Sequence, residues 1–513
     1  MAMDDTKKVL LLLPKRAETS ERSALVETFV DSGSLLTLLS SKDHQIIYGR
    51  RGTGKTHALL YLHEKKLKEH VLSVFFDMRT IGSSSGLFSD SSLPAHQRAL
   101  HLLRDTITKL QDEVVNFLLT DENANLAITS KYTDMLLDAC TQIVIDGDTL
   151  IESVHENQNE TTASLGVRFI ASKSPSLLVN SQSSAKDASS ERGLIQQIGT
   201  SKINIRFGDI GPVIGKIVET LPNNKLFILI DEWSSVPLDL QPYLAEMMKR
   251  CFLPVSGVTV KIAAIEQRTN IAVINESTHL GMEVGADIAA DMDLDDFMVF
   301  DNDEHRSQNF FGDLIYNHYN VVRSDYSNSK HFADKDGLIN AIFTQQAAFA
   351  ELVRAAEGVP RDAINLLALA IQRSGDDNVS IEHVRSASKA WYMKDKDAAV
   401  SSNPEAKKLL NHIIDEVIAH RKARAFLLKS GQRYRLVNEL FDARVLHVRK
   451  RNVSSNEQPG VRYDVYKIDY GCYVDLQATS RSPQGGFFEN DGGNIAVPAD
   501  DYRSIRRAIL DLD

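Results

Sequence analysis

Eight consecutive residues, Gly49-Arg50-Arg51-Gly52-Thr53-Gly54-Lys55-Thr56, carry the spacing G-x-x-x-x-G-K-[ST]. Glycines so placed let successive backbone N–H groups turn toward one point, and a helix starting just beyond adds its positive N-terminus, which suits a polyphosphate. Lys55 is the candidate to reach the β- and γ-phosphates, and Thr56 to offer its hydroxyl to Mg²⁺. Gly49, Arg50, Arg51, Gly52, Thr53 and Gly54 complete the candidate nucleotide-binding loop. Far downstream, Leu226-Phe227-Ile228-Leu229-Ile230 is an apolar run that ends abruptly in Asp231 and Glu232. Charges at that place are costly unless a cation or a polar network receives them. Asp231 is therefore the second candidate for Mg²⁺, and Glu232 the candidate general base that polarises an attacking water. ATP and Mg²⁺ are the expected cofactors, and hydrolysis of the phosphoanhydride the expected reaction.

These residues need a strand before the loop, a helix after it, and a neighbouring strand ending in the acidic pair. His44 to Tyr48 reads as a short buried strand, and Ala58, Leu59, Leu60 and Leu62 follow on a helix. Val71 to Phe76 is a second strand, giving an opening βαβ unit of a parallel sheet. Helical patterns occupy Ala95 to Leu119 and Ala124 to Val154. A Ser-rich stretch follows, flanked by the alternating sets Leu165, Val167, Phe169 and Ile203, Ile205, Phe207, which predict a β-hairpin. About 120–208 is read as an insertion into the core. A helix bearing Val213, Ile214, Ile217, Val218 and Leu221 delivers the chain to the Leu226 strand, and another strand runs from Val258 to Ile265.

Beyond an acidic run from Glu283 to Glu304, Phe310 to Tyr319 and Leu338 to Ala356 are expected to be helical, with a further helix after Gly358-Val359-Pro360. From Pro404 the pattern is helix, helix and two strands, Val445 to Val453 and Val461 to Tyr470, which is a winged-helix order. A final helix is expected near Tyr502. The expected fold is thus α/β: a P-loop NTPase parallel sheet over 1–305, an α-helical lid over 306–400, a winged-helix domain over 401–477 and a tail over 478–513.

The bulk composition narrows the setting. The 513 residues are 43% hydrophobic and 25% charged, enough for several cores. No apolar run approaches the ~20 residues that span a bilayer, so neither membrane attachment nor export is expected. Three cysteines, Cys140, Cys251 and Cys472, suggest neither a disulfide framework nor a zinc site, and a reducing cytoplasm fits. The net charge of −11 is uneven: from Pro404 to Gln477 there are 14 Lys/Arg against 9 Asp/Glu. A basic terminal module rides on an acidic body. Arg433, Arg435, Arg444, Arg449, Lys450 and Arg451 are its candidates for phosphate contacts on duplex DNA. The competing expectation is that these residues dock on protein, including the acidic run of the same chain.

In the order of its motifs, over roughly residues 10 to 475 apart from the insertion, the chain resembles AAA+ ATPases of the origin-recognition and replication-initiator type, which end in a winged helix. The resemblance implies that an Arg opening a lid helix contacts the γ-phosphate; Ala355-Ala356-Glu357-Gly358-Val359-Pro360-Arg361-Asp362 is similar to that motif and makes Arg361 the candidate. Leu13-Pro14-Lys15-Arg16 resembles the segment leading into the adenine pocket. The family places an Asn or Thr after the fourth core strand, where this chain has Glu266-Gln267-Arg268; Gln267 is the candidate replacement, with Glu266 and Arg268 as alternatives. No clean arginine-finger motif is present; Arg268 and Arg306 are the candidates, so completion of the site by self-association or a partner subunit is expected. A second resemblance, to STAND signalling ATPases such as serve prokaryotic defence, rests on Gly358-Val359-Pro360 and implies a nucleotide-dependent switch.

Overall fold

The computed structural model describes residues 4–31, 35–81, 93–120, 126–141, 143–153, 193–203, 207–275, 278–297, 303–326, 329–421, 423–431, 434–454, 460–477, 489–490, 494–495, 509–510 and 512. Five strands form a wholly parallel sheet in the order Leu72–Asp77, Leu226–Asp231, Val258–Ala264, Gln45–Tyr48, Ala289–Asp293. Side chains alternate across a strand, so Ile228 and Ile230 join one apolar cluster while Phe227 and Leu229 join another. Helices cover both faces: Lys55–Lys68 on one, Ala95–Leu119, Phe207–Thr220 and Gln241–Cys251 on the other. Burial on both sides is why the Leu226 strand reads as an uninterrupted apolar run. Burying each of its large side chains contributes about 2 kcal/mol.

Because the strands are parallel, their carboxyl ends share one edge. Tyr48, Asp77 and Asp231 all stand there, which brings the loop after Tyr48 beside the acidic pair.

The segment between the second and third sheet strands departs from the expected layout. The helix ends at Thr141, and a strand, Ile143–Ser153, pairs antiparallel with Gly193–Ile203. The hairpin is present, but its first strand begins far ahead of Leu165. The β-branched run Ile143-Val144-Ile145 favours extended backbone over a continued helix. Leu165, Val167, Phe169 and most of the Ser-rich stretch lie outside the described residues.

The expected single helix over Leu338 to Ala356 is two, Lys335–Ile342 and Gln346–Ala356. Between them Thr344 N donates to Val379 O at 3.0 Å, and a tertiary backbone pairing replaces the helical one. The helices of 304–391 share one apolar cluster with the elements of 404–477, and with Val9, Leu10 and Leu13. Lys7 on the Asp5–Leu11 helix donates to Gly375 O at 2.9 Å, so the N-terminal helix sits on the lid rather than on the sheet.

The C-terminal part runs helix Pro404–Ile413, strand Ala425–Lys429, helix Arg435–Asp442, then the antiparallel strands Leu446–Ser454 and Arg462–Ile468. Its three strands order as Ala425–Lys429, Arg462–Ile468, Leu446–Ser454. Leu510 N donates to Leu427 O at 3.0 Å, returning the tail to this sheet. The helix expected near Tyr502 lies outside the described residues. No helix among the described residues is long and apolar enough to cross a membrane.

Candidate nucleotide-binding site

The loop after Tyr48 turns on two glycines held at positive φ, Gly52 at 88° and Gly54 at 98°. At Gly52 a side chain is doubly excluded, since a Cβ there would lie 2.9 Å from Arg361 Cβ and 3.1 Å from Val359 Cγ1. The start of the Pro360–Ser374 helix therefore rests directly on the loop, and Arg361 N donates to Gly52 O at 3.3 Å. Val359 precedes the Pro360–Ser374 helix, whose first position tolerates proline because its N–H has no helical partner.

Lys55 is buried and its Nζ donates to Gly49 O at 2.7 Å and Arg50 O at 2.8 Å. Burial pushes its ammonium below the usual lysine range. Thr56 Oγ1 donates to Asp231 Oδ2 at 2.7 Å. The other carboxylate oxygen, Asp231 Oδ1, is buried without a hydrogen-bond partner. Burial raises this carboxyl to about 6. An orphaned carboxylate oxygen beside a hydroxyl is the donor set that a hard divalent cation takes, so these residues fit Mg²⁺.

Glu232 follows in the left-handed region at φ 54°, a conformation that costs about 1 kcal/mol or more in a residue with a Cβ. The turn carries its carboxylate out of the strand to face Arg79, 4.0 Å away. Arg79 also holds Asp77 at 2.7 Å and Glu18 at 3.2 Å.

A cavity of about 310 Å³ joins these groups. Arg51, Gly52, Gly54, Lys55, Thr56, Arg79, Glu232 and Arg361 are in its lining, together with residues that include Pro14, Lys15, Arg16, Leu25, Thr28, His57, Leu314, His318 and Ile364. Gly49, Arg50 and Thr53 lie behind the lining. The Arg50 side chain turns away from the cavity to Asp295, with Nε 2.6 Å from Oδ1, and its carbon lies 4.9 Å from the centre of the Phe441 ring. Thr53 Oγ1 donates back to Arg50 O at 2.9 Å.

Gln267 sits in the turn after the Val258–Ala264 strand, away from the cavity lining, with Oε1 buried and without a hydrogen bond. Its neighbours face the C-terminal part: Glu266 pairs with Arg451 at 2.6 Å, and Arg268 with Asp442. Arg306 opens the Glu304–Arg323 helix, where its N–H is capped by Asp303 at 2.9 Å, and lines a separate cavity. Neither finger candidate is at this chain's own cavity.

The basic set divides. Arg444 binds Asp362 and Asp395, and Arg451 also approaches Asp293 at 3.5 Å, so these two are engaged by the chain's own acids. Lys450 is exposed, as is Arg435, which pairs with Glu405 at 2.9 Å. Arg433 lies outside the described residues. Sequence reasoning missed Arg79, Asp295, His57, His318 and His447. Arg79 had a signal: a cation two residues past Asp77, on the strand beside the acidic pair. The other four had none, because what brings them to the site, Arg50 for Asp295 and His447 and the meeting of His57 with His318, joins residues distant in the chain.

A family model described as ORC-CDC6-like matches residues 11–271. Among solved structures the chain is similar to that of the Aeropyrum pernix ORC1 protein in complex with DNA, at 13% identity and a TM-score of 0.29, over 92% of this chain and 96% of that one. No curated protein matches the chain.

Proposed function

Since the chain belongs to the ORC-CDC6-like family of AAA+ ATPases, we propose that it binds and hydrolyses MgATP in this cavity and couples lid closure to action on duplex DNA or a DNA-bound partner. The observation that carries the reading is the Thr56–Asp231 pair with its orphaned Oδ1, beside a cavity that Thr56, Lys55 and Arg361 line.

Thr56 and Asp231 would hold the magnesium, which would offset the charge that develops on the phosphates. Lys55 exchanges its two carbonyl contacts for phosphate oxygens of higher charge. The turned-in amides of Gly52 to Thr56 hold the same oxygens in place. Arg361 adds positive charge from the lid, so that binding draws the Pro360 helix onto the loop. Glu232 accepts the proton of the attacking water, and Arg79 fixes where that carboxylate points. A neighbouring subunit or partner supplies any further cation, since Arg268 is spent on Asp442.

The helix, strand, helix and hairpin of 404–468 are read as a winged helix, with Arg435, Lys450 and Arg449 as its contacts to phosphates. Titration of MgATP by calorimetry, then turnover with and without duplex DNA at two salt concentrations, tests both halves. DNA stimulation that fades with salt is expected. No association of MgATP with the folded protein would sink the proposal. Turnover indifferent to DNA would leave the module as a clamp on its own core, a role favoured by Arg268–Asp442 and Arg451–Glu266.

A further inference from the structure

Besides the loop and Glu232, the cavity is lined by Leu25, Thr28, His57, Leu314, His318 and Ile364, from the Arg22–Thr28, Lys55–Lys68, Glu304–Arg323 and Pro360–Ser374 helices. Three of these six are apolar, and buried His318 and partly buried His57 meet there edge to face, 6.3 Å between ring centres. With the phosphates at Gly52 to Thr56, these residues of the same cavity are left to receive the base, a step that rests on the nucleotide reading above.

The protein fixes what His318 offers. Its Nδ1 lies 2.8 Å from the Leu314 carbonyl, an acceptor only, so that nitrogen carries the proton. Burial lowers the ring to about 4, so it is neutral near pH 7. Nε2 is then a lone-pair acceptor, makes no hydrogen bond among the described residues, and belongs to a side chain only 6% exposed that lines the cavity. His57 is oriented the same way: its Nε2 lies 2.8 Å from the Leu25 carbonyl, which forces the proton there. Neither ring donates toward the cavity. An imidazole fixed as an acceptor selects a base edge that donates to it.

We propose that His318 Nε2 is a specificity-determining acceptor for the 6-amino group of the purine, and that this site discriminates against purines with hydrogen or a carbonyl oxygen at that position. Removing the donor forfeits one hydrogen bond, and a 6-oxo group sets two acceptors against each other.

The full-length protein is titrated with the magnesium complexes of ATP, purine riboside triphosphate and inosine triphosphate. The parent is expected to bind purine riboside triphosphate about 3- to 10-fold more weakly than ATP, and inosine triphosphate more weakly still. His318→Leu, with folding checked by thermal melting, should bind all three alike by losing affinity for ATP alone. His318→Gln, which keeps an acceptor, should restore part of the preference and serves if the leucine variant does not fold. An unchanged preference in a folded variant overturns the proposal, as does a parent that discriminates 2′-deoxy-ATP but not the 6-substituent. A parent protein that binds no nucleotide overturns the nucleotide reading itself, and the base proposal with it.

Discussion

Arg50, from within the loop that brackets the cavity, gives its guanidinium to His447 on the C-terminal hairpin. His447 Nε2 in turn donates to Asp469 Oδ2 at 3.1 Å, Asp469 binds Lys396, and Lys396 lies 3.1 Å from Asp362, the residue after Arg361. A buried chain of alternating charge thus leaves the loop, crosses the C-terminal part and re-enters the lid beside the cavity. The loop and the lid helix are therefore positioned by groups that no nucleotide touches.

Arg50→Ala should cost on the order of 3–5 kcal/mol of stability, since it strands Asp295 in the interior without its counter-charge. Asp295→Ala should cost a similar amount by stranding Arg50. Replacing both together should be much milder than the sum. Denaturant melts of the two single variants and the double variant give the coupling, and strict additivity would show the pair to be independent.

How much of this was legible in the sequence follows from how local each feature is. The spacing of Gly49 to Thr56 and the apolar run into Asp231 encode their own conformation, so loop and acidic strand were placed from neighbouring residues. The break between Lys335–Ile342 and Gln346–Ala356 was not, because Thr344 is taken by Val379 through a tertiary contact. A hairpin is present, but both of its strands lie earlier than expected: the first starts at Ile143 and not near Leu165, and the second ends at Ile203 where it was expected to begin, with Phe207 opening a helix, since alternation alone does not choose between candidate strands. Arg50 could not be separated from its loop neighbours, because its partners Asp295 and His447 lie hundreds of residues on.

Stability should fall as the pH drops below neutrality. Burial lowers His447 well below its ordinary value, and lowers His318 and His63 to about 4. A depressed histidine binds its proton only in the unfolded chain, so unfolding gains protons as the pH falls through 6.5 and on toward 4. For His318 this is on the order of 3 kcal/mol over that window. Asp231, raised to about 6, acts oppositely: it favours the folded state below its unfolded value and loses that contribution as the pH rises through 6. Thermal midpoints from pH 7.5 to 4.5 should decline. A rise across that range would show that the carboxylates outweigh the histidines.

Glu232→Gln should bind MgATP as the parent does while turning over at least about 100-fold more slowly, the usual effect of losing a general base. Parent-like turnover would remove Glu232 from the chemistry. Arg79→Ala should leave binding nearly intact and lower turnover by less than Glu232→Gln, because the carboxylate keeps its backbone turn but loses the cation 4.0 Å away. Single-turnover measurements at saturating MgATP separate the two effects. An Arg79→Ala protein that loses affinity in place of rate would make Arg79 a phosphate contact.

Lys450 and Arg451 are adjacent yet should behave differently. Lys450 is exposed and pairs with no acid among the described residues, so Lys450→Ala should weaken duplex binding similarly across sequences and lower the salt slope by about one unit. Arg451 is held by Glu266 at 2.6 Å and Asp293 at 3.5 Å, on the turn and strand that flank the core. Arg451→Ala should therefore loosen the C-terminal hairpin from the sheet, and the salt slope should stay near the parent's. Because these acids are partly exposed, the stability loss should be within about 1 kcal/mol. Hydrogen exchange of the Leu446–Ser454 strand in each variant, alongside duplex titrations at two salt concentrations, reads both effects. Faster exchange in the arginine variant alone is expected. If Lys450→Ala leaves the slope unchanged while Arg451→Ala lowers it, the hairpin must detach from Glu266 to meet DNA, and the pairing with the core is a resting contact that binding exchanges for phosphate.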